Sequence, residues 1–203
     1  MPQRPSDESG IWRRELKLGG LAVLLVGLVV AGAIVFTSSG ADSGGSAPPL
    51  SKAELASLAK RIAANEAQAN QVVEGSIAAK LAALRGVPVV VNQWASWCPS
   101  CRAEFPFFQR LAKRLSGRVA FVGLDSQDRR GDAEDFLARY PVEYPSIFDP
   151  DASQAGSIGG GQGWPTTVFY DDQGRRTHIR PGGYATAAQL RTDIETYALG
   201  GGT

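Results

Sequence analysis

Val89-Val-Val-Asn-Gln-Trp-Ala-Ser-Trp-Cys-Pro-Ser-Cys-Arg-Ala-Glu-Phe-Pro106 is the stretch that decides the fold. It joins an apolar, β-branched run to the first turns of an amphipathic helix, a pattern typical of a buried strand followed by a helix. Cys98 and Cys101 lie at the junction and are the only cysteines among 203 residues. Two thiols at this spacing can cycle between a dithiol and a disulfide, so the stretch also suggests redox chemistry.

The cysteine pair has two other conceivable uses, in a metal site or as a structural disulfide. A structural zinc site needs four ligands, usually Cys or His, and the chain offers only Cys98, Cys101 and His178. We therefore expect no metal and no cofactor, and we expect His178 to be a solvated surface side chain. A Cys98–Cys101 bridge closes a very short loop and would stabilise the fold little. A redox-active pair is the favoured interpretation.

The position of each cysteine suggests its role. Cys98 precedes the helix, where unpaired backbone N–H groups and the helix dipole stabilise a thiolate, so we predict that it is the nucleophile. Cys101 lies one turn later and is predicted to resolve the mixed disulfide. Ser100 contributes no imidazole that would stabilise the thiolate further. We therefore expect a less oxidising couple than that of strong disulfide oxidants.

The N-terminal part of the chain predicts a membrane anchor. Residues 18–36 carry no charge and would span about 28 Å as a helix, close to the thickness of a bilayer core. Four cations precede this run and none follows before Lys52, which places residues 1–17 in the cytoplasm. We predict an anchor over 18–39 in the lipid bilayer and a flexible linker over 40–50. A cleaved signal peptide is the alternative, and in both cases the remaining chain leaves the cytoplasm.

The remaining chain predicts an α/β fold with a mixed sheet. Residues 51–86 read as a helical lead-in that begins at a Ser51–Glu54 capping box, with a break near Gly75, and 87–203 read as one domain. Within it, strands are predicted over 87–94, 119–124, 166–170 and 175–180, and helices around 105–117, 132–140 and 185–199. The net charge of +1, without a basic stripe, argues against nucleic-acid binding.

From about residue 87 to 199 the chain resembles the membrane-anchored thioredoxin-like proteins of the TlpA/ResA/CcmG type. The resemblance rests on the stretch quoted above and on Trp164-Pro165-Thr166-Thr167. It implies a thioredoxin fold, a central mixed sheet flanked by helices, with an extra segment within 123–163. It also implies that Pro165 follows a cis peptide bond and faces the cysteine pair.

The same resemblance implies a function. It suggests a single-pass, extracytoplasmic thiol–disulfide oxidoreductase that reduces disulfides in exported proteins, with apocytochrome c thiols among the conceivable targets. A membrane electron donor would restore the dithiol. A net oxidant of secreted proteins, a thiol peroxidase and a thioredoxin-like scaffold that binds through 51–86 remain alternatives. Redox potential, peroxide consumption and insulin reduction, respectively, distinguish them.

Several other positions carry expectations, and those for Asn92 and Glu104 come from the resemblance. Asn92 replaces the buried Asp of thioredoxins. Glu104 matches a carboxylate near the cysteines that tunes the pKa of a thiol or shuttles a proton. A solvated charge on the helix surface is an equally favoured interpretation of Glu104. Trp94 and Trp97 are expected to pack as walls of the site. Residues 159–163 are expected to form a flexible surface loop that leads to Pro165.

Overall fold

The computed structural model describes residues 50–201, and its centre is a six-stranded mixed sheet. The strands are β1 (Val72–Val73), β2 (Val89–Trp94), β3 (Ala120–Ser126), β4 (Ser146–Asp149), β5 (Thr166–Tyr170) and β6 (Arg176–Pro181). Their order across the sheet is β1-β4-β3-β2-β5-β6. The first four in this order are parallel, β5 runs antiparallel to β2, and β6 runs antiparallel to β5.

Three of the four interior strands, β2, β3 and β5, have largely apolar sequences. Every residue of β2, β3 and β5 is buried, and Val91 is paired with Val122 on one side and Val168 on the other. Strands covered on both faces are expected to be nearly continuous apolar runs, which is the pattern that predicted them. The prediction of these three strands is confirmed to within two residues at their ends.

Helices cover both faces of the sheet. They are α1 (Lys52–Glu66), α2 (Ile77–Ala83), α3 (Pro99–Arg114), α4 (Arg130–Arg139), α5 (Ser153–Ser157) and α6 (Ala187–Asp193), which continues into a π-helical turn, Ile194–Ala198. Helices α3, α4 and α6 bury Phe105, Phe136 and Leu190 in one apolar core, while α1 and α2 contribute Ile62 and Ile77 to a second. The sheet between these two layers fixes where the strand ends and the cysteine pair lie.

The segment 51–86 is not one interrupted helix. The predicted capping box is present, because Glu54 N donates to Ser51 Oγ and Ser51 N donates to Glu54 Oε2. Between α1 and α2, however, Val72–Val73 pairs in parallel with β4 as an edge strand. The β-branched pair suits an extended backbone, and the backbone groups of β4 provide its hydrogen-bond partners.

Strand β4 and helix α5 have no counterpart in the sequence prediction. They lie, with α4, in the extra segment that the resemblance implies between β3 and β5. Strand β4 is only four residues long and α5 only five, too short to show a period of two or of 3.6 residues. Their formation depends on β3, which supplies the partner strand, and on the buried carboxylate of Asp149, which accepts hydrogen bonds from Gln154 N and Ala155 N.

The predicted anchor over 18–39 lies outside the described residues, as do 1–17 and most of the linker. Within residues 50–201, none of the helices has both the length and the apolar character needed to cross a bilayer.

Gly123 in β3 is a position where the fold requires a missing side chain. A Cβ there would lie 2.1 Å from Ser146 Oγ and 3.0 Å from Trp94 Nε1, and these two atoms form a buried hydrogen bond. We expect Gly123→Ala to destabilise the fold by about 2–4 kcal/mol, through overpacking and loss of this bond. Urea unfolding measures the effect. Gly131→Ala in α4, where a Cβ meets no atom within 4 Å, is the matched control and should be neutral or stabilising. Equal urea midpoints for the two variants would contradict the prediction.

Candidate active site

Cys98 and Cys101 form a disulfide at the start of α3, with their Cα atoms 5.3 Å apart. Cys98 is the N-cap residue, and the backbone N–H of Cys101 points at Cys98 Sγ with an N···S distance of 3.0 Å. Pro99, which has no N–H, occupies the first helical position. Cys98 is 2% exposed and Cys101 is fully buried, so exposure hardly distinguishes them in this oxidised state. The N-cap position of Cys98 is what favours a thiolate at this sulfur.

The loop before β5 meets the start of α3 at Gly183. The Trp164–Pro165 peptide bond is cis, as the resemblance implies, and Gly182 N donates to Pro165 O at 2.9 Å. A Cβ on Gly183 would lie 3.5 Å from Ser100 O and 3.6 Å from Pro165 Cγ. Gly183 therefore lies between the proline loop and the Cys-Pro-Ser-Cys turn.

Glu104 lies beneath this junction and is fully buried, so it is not a solvated helix charge. Its Oε1 accepts a hydrogen bond from Asn92 Nδ2 at 2.8 Å, and its Oε2 accepts one from Tyr184 N at 3.0 Å. Burial raises the pKa of Glu104 to about 7, although both hydrogen bonds and the charge of Arg180 act in the opposite direction. The site thus holds a carboxyl group from α3 that can change its protonation state near neutral pH.

Two tryptophans from different loops form an aromatic wall beside the disulfide. The rings of Trp97 and Trp164 lie 5.4 Å apart, and their indole N–H groups donate to Gln127 O at 2.8 Å and Ser126 O at 3.2 Å, respectively. Trp94 is fully buried, as expected, but Trp97 is 52% exposed and is therefore only partly a packing residue. Trp164 is a wall residue that sequence reasoning did not assign. Its place next to the expected cis proline was the available signal.

Asp128 holds the turn that precedes the cysteines and was also missed. Its carboxylate accepts hydrogen bonds from Ser96 N and, at 2.8 Å, from Ser96 Oγ. A third hydrogen bond comes from Arg129 N at 2.8 Å. The carboxylate thereby links the end of β3 to the Ala-Ser-Trp turn. Nothing in the sequence marks this contact, because the two partners are 32 residues apart.

Asp125, at the end of β3, is a further buried carboxyl group. It is fully buried, and neither of its oxygens has a hydrogen-bond partner among residues 50–201. Burial, and then the negative charge of Asp128, raise the pKa of Asp125 to about 9, with Arg130 acting against this and Asp149 adding to it. Asp125 is therefore protonated at neutral pH.

The loop 159–163 lies at the surface, where Gly159 and Gln162 are exposed, but it is also attached to the sheet. Gly160 is buried, and Gly161 N donates to Gln93 Oε1 at 2.9 Å. A Cβ on Gly160 would lie 2.1 Å from the same oxygen, so glycine is what allows the Gln93 side chain to reach this loop. The predicted surface loop is thus present, and two of its glycines contact the buried side chain of Gln93.

The histidine differs from its prediction as well. His178 is half-buried and stacks on Tyr197, with ring centroids 3.9 Å apart, so it is not a fully solvated side chain. In the part of the chain that the structure describes, no three or more His, Cys, Asp and Glu side chains are grouped so that they could hold a metal ion.

The fold and the disulfide define a thioredoxin-like protein with a Cys-x-x-Cys centre. The family model described as Redoxin matches residues 59–193, more than half of the chain, and the chain belongs to this family. A DsbF homologue from Corynebacterium diphtheriae is similar in structure (TM-score 0.51, 31% identity, 57% of this chain and 75% of that chain). So is a secreted disulfide oxidoreductase of Mycobacterium tuberculosis (TM-score 0.51, 26% identity, 57% and 85%). The thioredoxin-like fold is thereby confirmed.

Curated relatives are called thiol:disulfide interchange protein DsbE. The protein from Allochromatium vinosum is 41% identical over 100 residues, which cover 49% of this chain and 54% of that protein. The protein from Pseudomonas aeruginosa is 38% identical over 96 residues, which cover 47% and 51%. The chain thus spans about half the length of the curated relatives it matches.

Proposed function

We propose that this protein is a thiol–disulfide oxidoreductase that reduces disulfides in exported proteins. The observation that carries the thiol–disulfide chemistry is the N-cap position of Cys98, whose sulfur lies 3.0 Å from the backbone nitrogen of Cys101 at the start of α3. The reducing direction is supported by the resemblance to the TlpA/ResA/CcmG type. This position lowers the pKa of a thiol and makes it a nucleophile at neutral pH. The DsbE relatives from Allochromatium vinosum and Pseudomonas aeruginosa support the same chemistry.

The proposed reaction starts from the dithiol. The Cys98 thiolate attacks one sulfur of the target disulfide, forming a mixed disulfide and releasing the other target sulfur as a thiolate. Cys101 then attacks Cys98 Sγ, which frees the second target sulfur. The target disulfide gains two electrons and two protons, and the Cys98–Cys101 disulfide is left. In this scheme the disulfide form described above is the product, and an electron donor outside this chain must reduce it again.

Glu104 is proposed to accept the proton of Cys101 during the second step. The two residues are three positions apart in α3, so they lie on the same face of the helix. The pKa of Glu104, raised by burial to about 7, suits a group that must take up and release a proton near neutral pH. Asn92, with its neutral amide, orients the carboxylate through one hydrogen bond.

Pro165 and the aromatic wall of Trp97 and Trp164 are proposed to receive the target chain. Pro165 is buried next to Gly183, which in turn approaches the first turn of α3. The half-exposed Trp97 offers apolar surface next to Cys98. A target segment that reaches the sulfur of Cys98 would lie between these groups.

A membrane tether over 18–39, with the catalytic part outside the cytoplasm and a membrane electron donor, completes the proposal. The apolar run over 18–36 and the four cations that precede it support the tether.

Trapping of targets tests this function. We expect Cys101→Ser to accumulate mixed disulfides between Cys98 and exported proteins, because the attacking thiol remains and the resolving thiol is lost. Non-reducing gels of the expressing cells, followed by mass spectrometry, measure the adducts. The Cys98→Ser/Cys101→Ser double variant is the control and should form none. An absence of adducts with Cys101→Ser, at expression equal to that of the wild type, would overturn the proposal.

A further inference from the structure

Gly183, in the turn between β6 and α6, is an exposed residue that lies next to the buried Glu104 carboxylate. Gly183 is exposed and Glu104 is fully buried. A Cβ on Gly183 would lie 3.6 Å from Glu104 Oε2, in addition to its contacts with Ser100 O and Pro165 Cγ. The neighbouring Tyr184 N already donates to the same Oε2. The carboxylate therefore lies directly beneath a backbone that carries no side chain.

The backbone conformation does not explain this glycine. Gly182 has a φ of 83°, in the left-handed region that favours glycine, but Gly183 is not among the residues with positive φ. Steric exclusion does not explain it either. The three nearest contacts of a Cβ, at 3.5–3.6 Å, are ordinary van der Waals distances. A methyl group would fit at this position. It would add a carbon atom between the Glu104 carboxyl group and the solvent beside Gly183.

We propose that Gly183 is a positioning residue that keeps a route for water to the Glu104 carboxyl group, by which Glu104 exchanges its proton with solvent. The inference rests on the proposed function, in which Glu104 accepts the Cys101 proton as that sulfur attacks Cys98 Sγ. The proton then passes from the Glu104 carboxyl group to water beside Gly183, so the carboxylate is restored before the next cycle. A side chain at position 183 would close this route while leaving the sulfurs in place.

Other charged or titratable groups around Glu104 come from three places. Arg180 on β6 favours the carboxylate by its charge, while the buried Tyr144 hydroxyl interacts electrostatically with it. On the α6 side, Tyr184 OH donates to Asp193 Oδ2, which also contacts Arg180. None of these side chains is among the three nearest contacts of a Cβ on Gly183. A methyl group there would therefore leave these side chains in place and add to the cover over the Glu104 carboxyl group.

The test is a titration of Glu104 in the full chain in its disulfide form, followed by the ¹³C shift of the side-chain carboxyl. We expect Gly183→Ala to raise the Glu104 pKa above the wild-type value by about half a pH unit or more, because desolvation disfavours the charged form. Gly183→Val should raise it further. The pH at which the rate of disulfide exchange changes should move in the same direction. Glu104→Gln assigns the resonance, and Gly131→Ala is the matched control that should move neither quantity.

The outcomes separate this inference from the proposed function. An unchanged Glu104 titration in both Gly183 variants, with wild-type urea midpoints, overturns the water route. If the titration moves in both variants but Glu104→Gln leaves the pH profile of the rate unchanged, the proton-accepting role of Glu104 fails. The water route to its carboxyl group then still stands. Movement of both quantities in Gly183→Ala, with none in Gly131→Ala, supports the inference as stated.

Discussion

Replacing Cys98 by serine is expected to remove disulfide reduction, lowering the rate of insulin reduction by on the order of a thousandfold or more. A serine hydroxyl is not ionised at neutral pH, even at a helix N-cap, and it cannot form a mixed disulfide. The turnover assay, with dithiothreitol as the electron source, compares each variant with the rate of dithiothreitol alone. Because Cys98 lies in the first apolar core, the urea midpoint of the variant must accompany the rate.

Cys101→Ser is the matched variant for this experiment, since it makes the same chemical change one turn along the same helix. It should also lose turnover, but it should retain a single attack on a disulfide reagent and remain linked to it. Cys98→Ser should show no comparable fast attack. If Cys98→Ser reduced insulin at the wild-type rate, the chain would not be a redox enzyme that acts through this sulfur, and the scaffold alternative would take its place.

The second large effect is expected from Asp125→Asn and concerns the pH dependence of stability. Asp125 has a pKa of about 9 in the folded chain, against about 3.9 in an unfolded one. Between these values the folded state holds one proton more than the unfolded state. The stability from this group is complete below about pH 3.9 and is lost as the pH rises towards 9, at about 1.4 kcal/mol per pH unit.

An amide at position 125 does not titrate, so it removes this dependence of the free energy of unfolding on pH. The free energy of unfolding of Asp125→Asn, minus that of the wild type, should therefore rise by about 4 kcal/mol between pH 5 and pH 8. Urea unfolding at a series of pH values measures this difference. Asp135→Asn, an exposed position on α4, is the control and should leave the slope of the wild type unchanged. Parallel stability curves for Asp125→Asn and the wild type would show that Asp125 is ionised in the fold.

The parts of the fold that could be predicted from the sequence are those with strong local patterns. The runs that form β2, β3 and β5 are largely apolar and rich in β-branched and aromatic residues. The Cys-Pro-Ser-Cys turn lies between a strand and a helix by pattern alone. The two residues of β1, by contrast, form a strand only because β4 presents an open edge. Such short elements are decided by tertiary contacts rather than by their own sequence.

The site divides in the same way. Cys98 and its N-cap position follow from local sequence, as does the place of Cys101. The burial of Glu104 depends on Tyr184, which is 80 residues away, and the turn before Cys98 depends on Asp128. No spacing rule relates residues so far apart. The two readings of Glu104 could therefore be separated only by the structure.

Strand β1 has a consequence for how the protein can be divided. It covers the outer edge of β4, and α1 and α2 cover apolar side chains of β2 and β3. A fragment beginning at residue 87 would lack all three elements. Its bare strand edge and uncovered Val and Leu side chains would favour pairing with a second copy and aggregation. Production of the described part of the chain therefore calls for a first residue ahead of Ser51, so that β1 still covers the edge of β4.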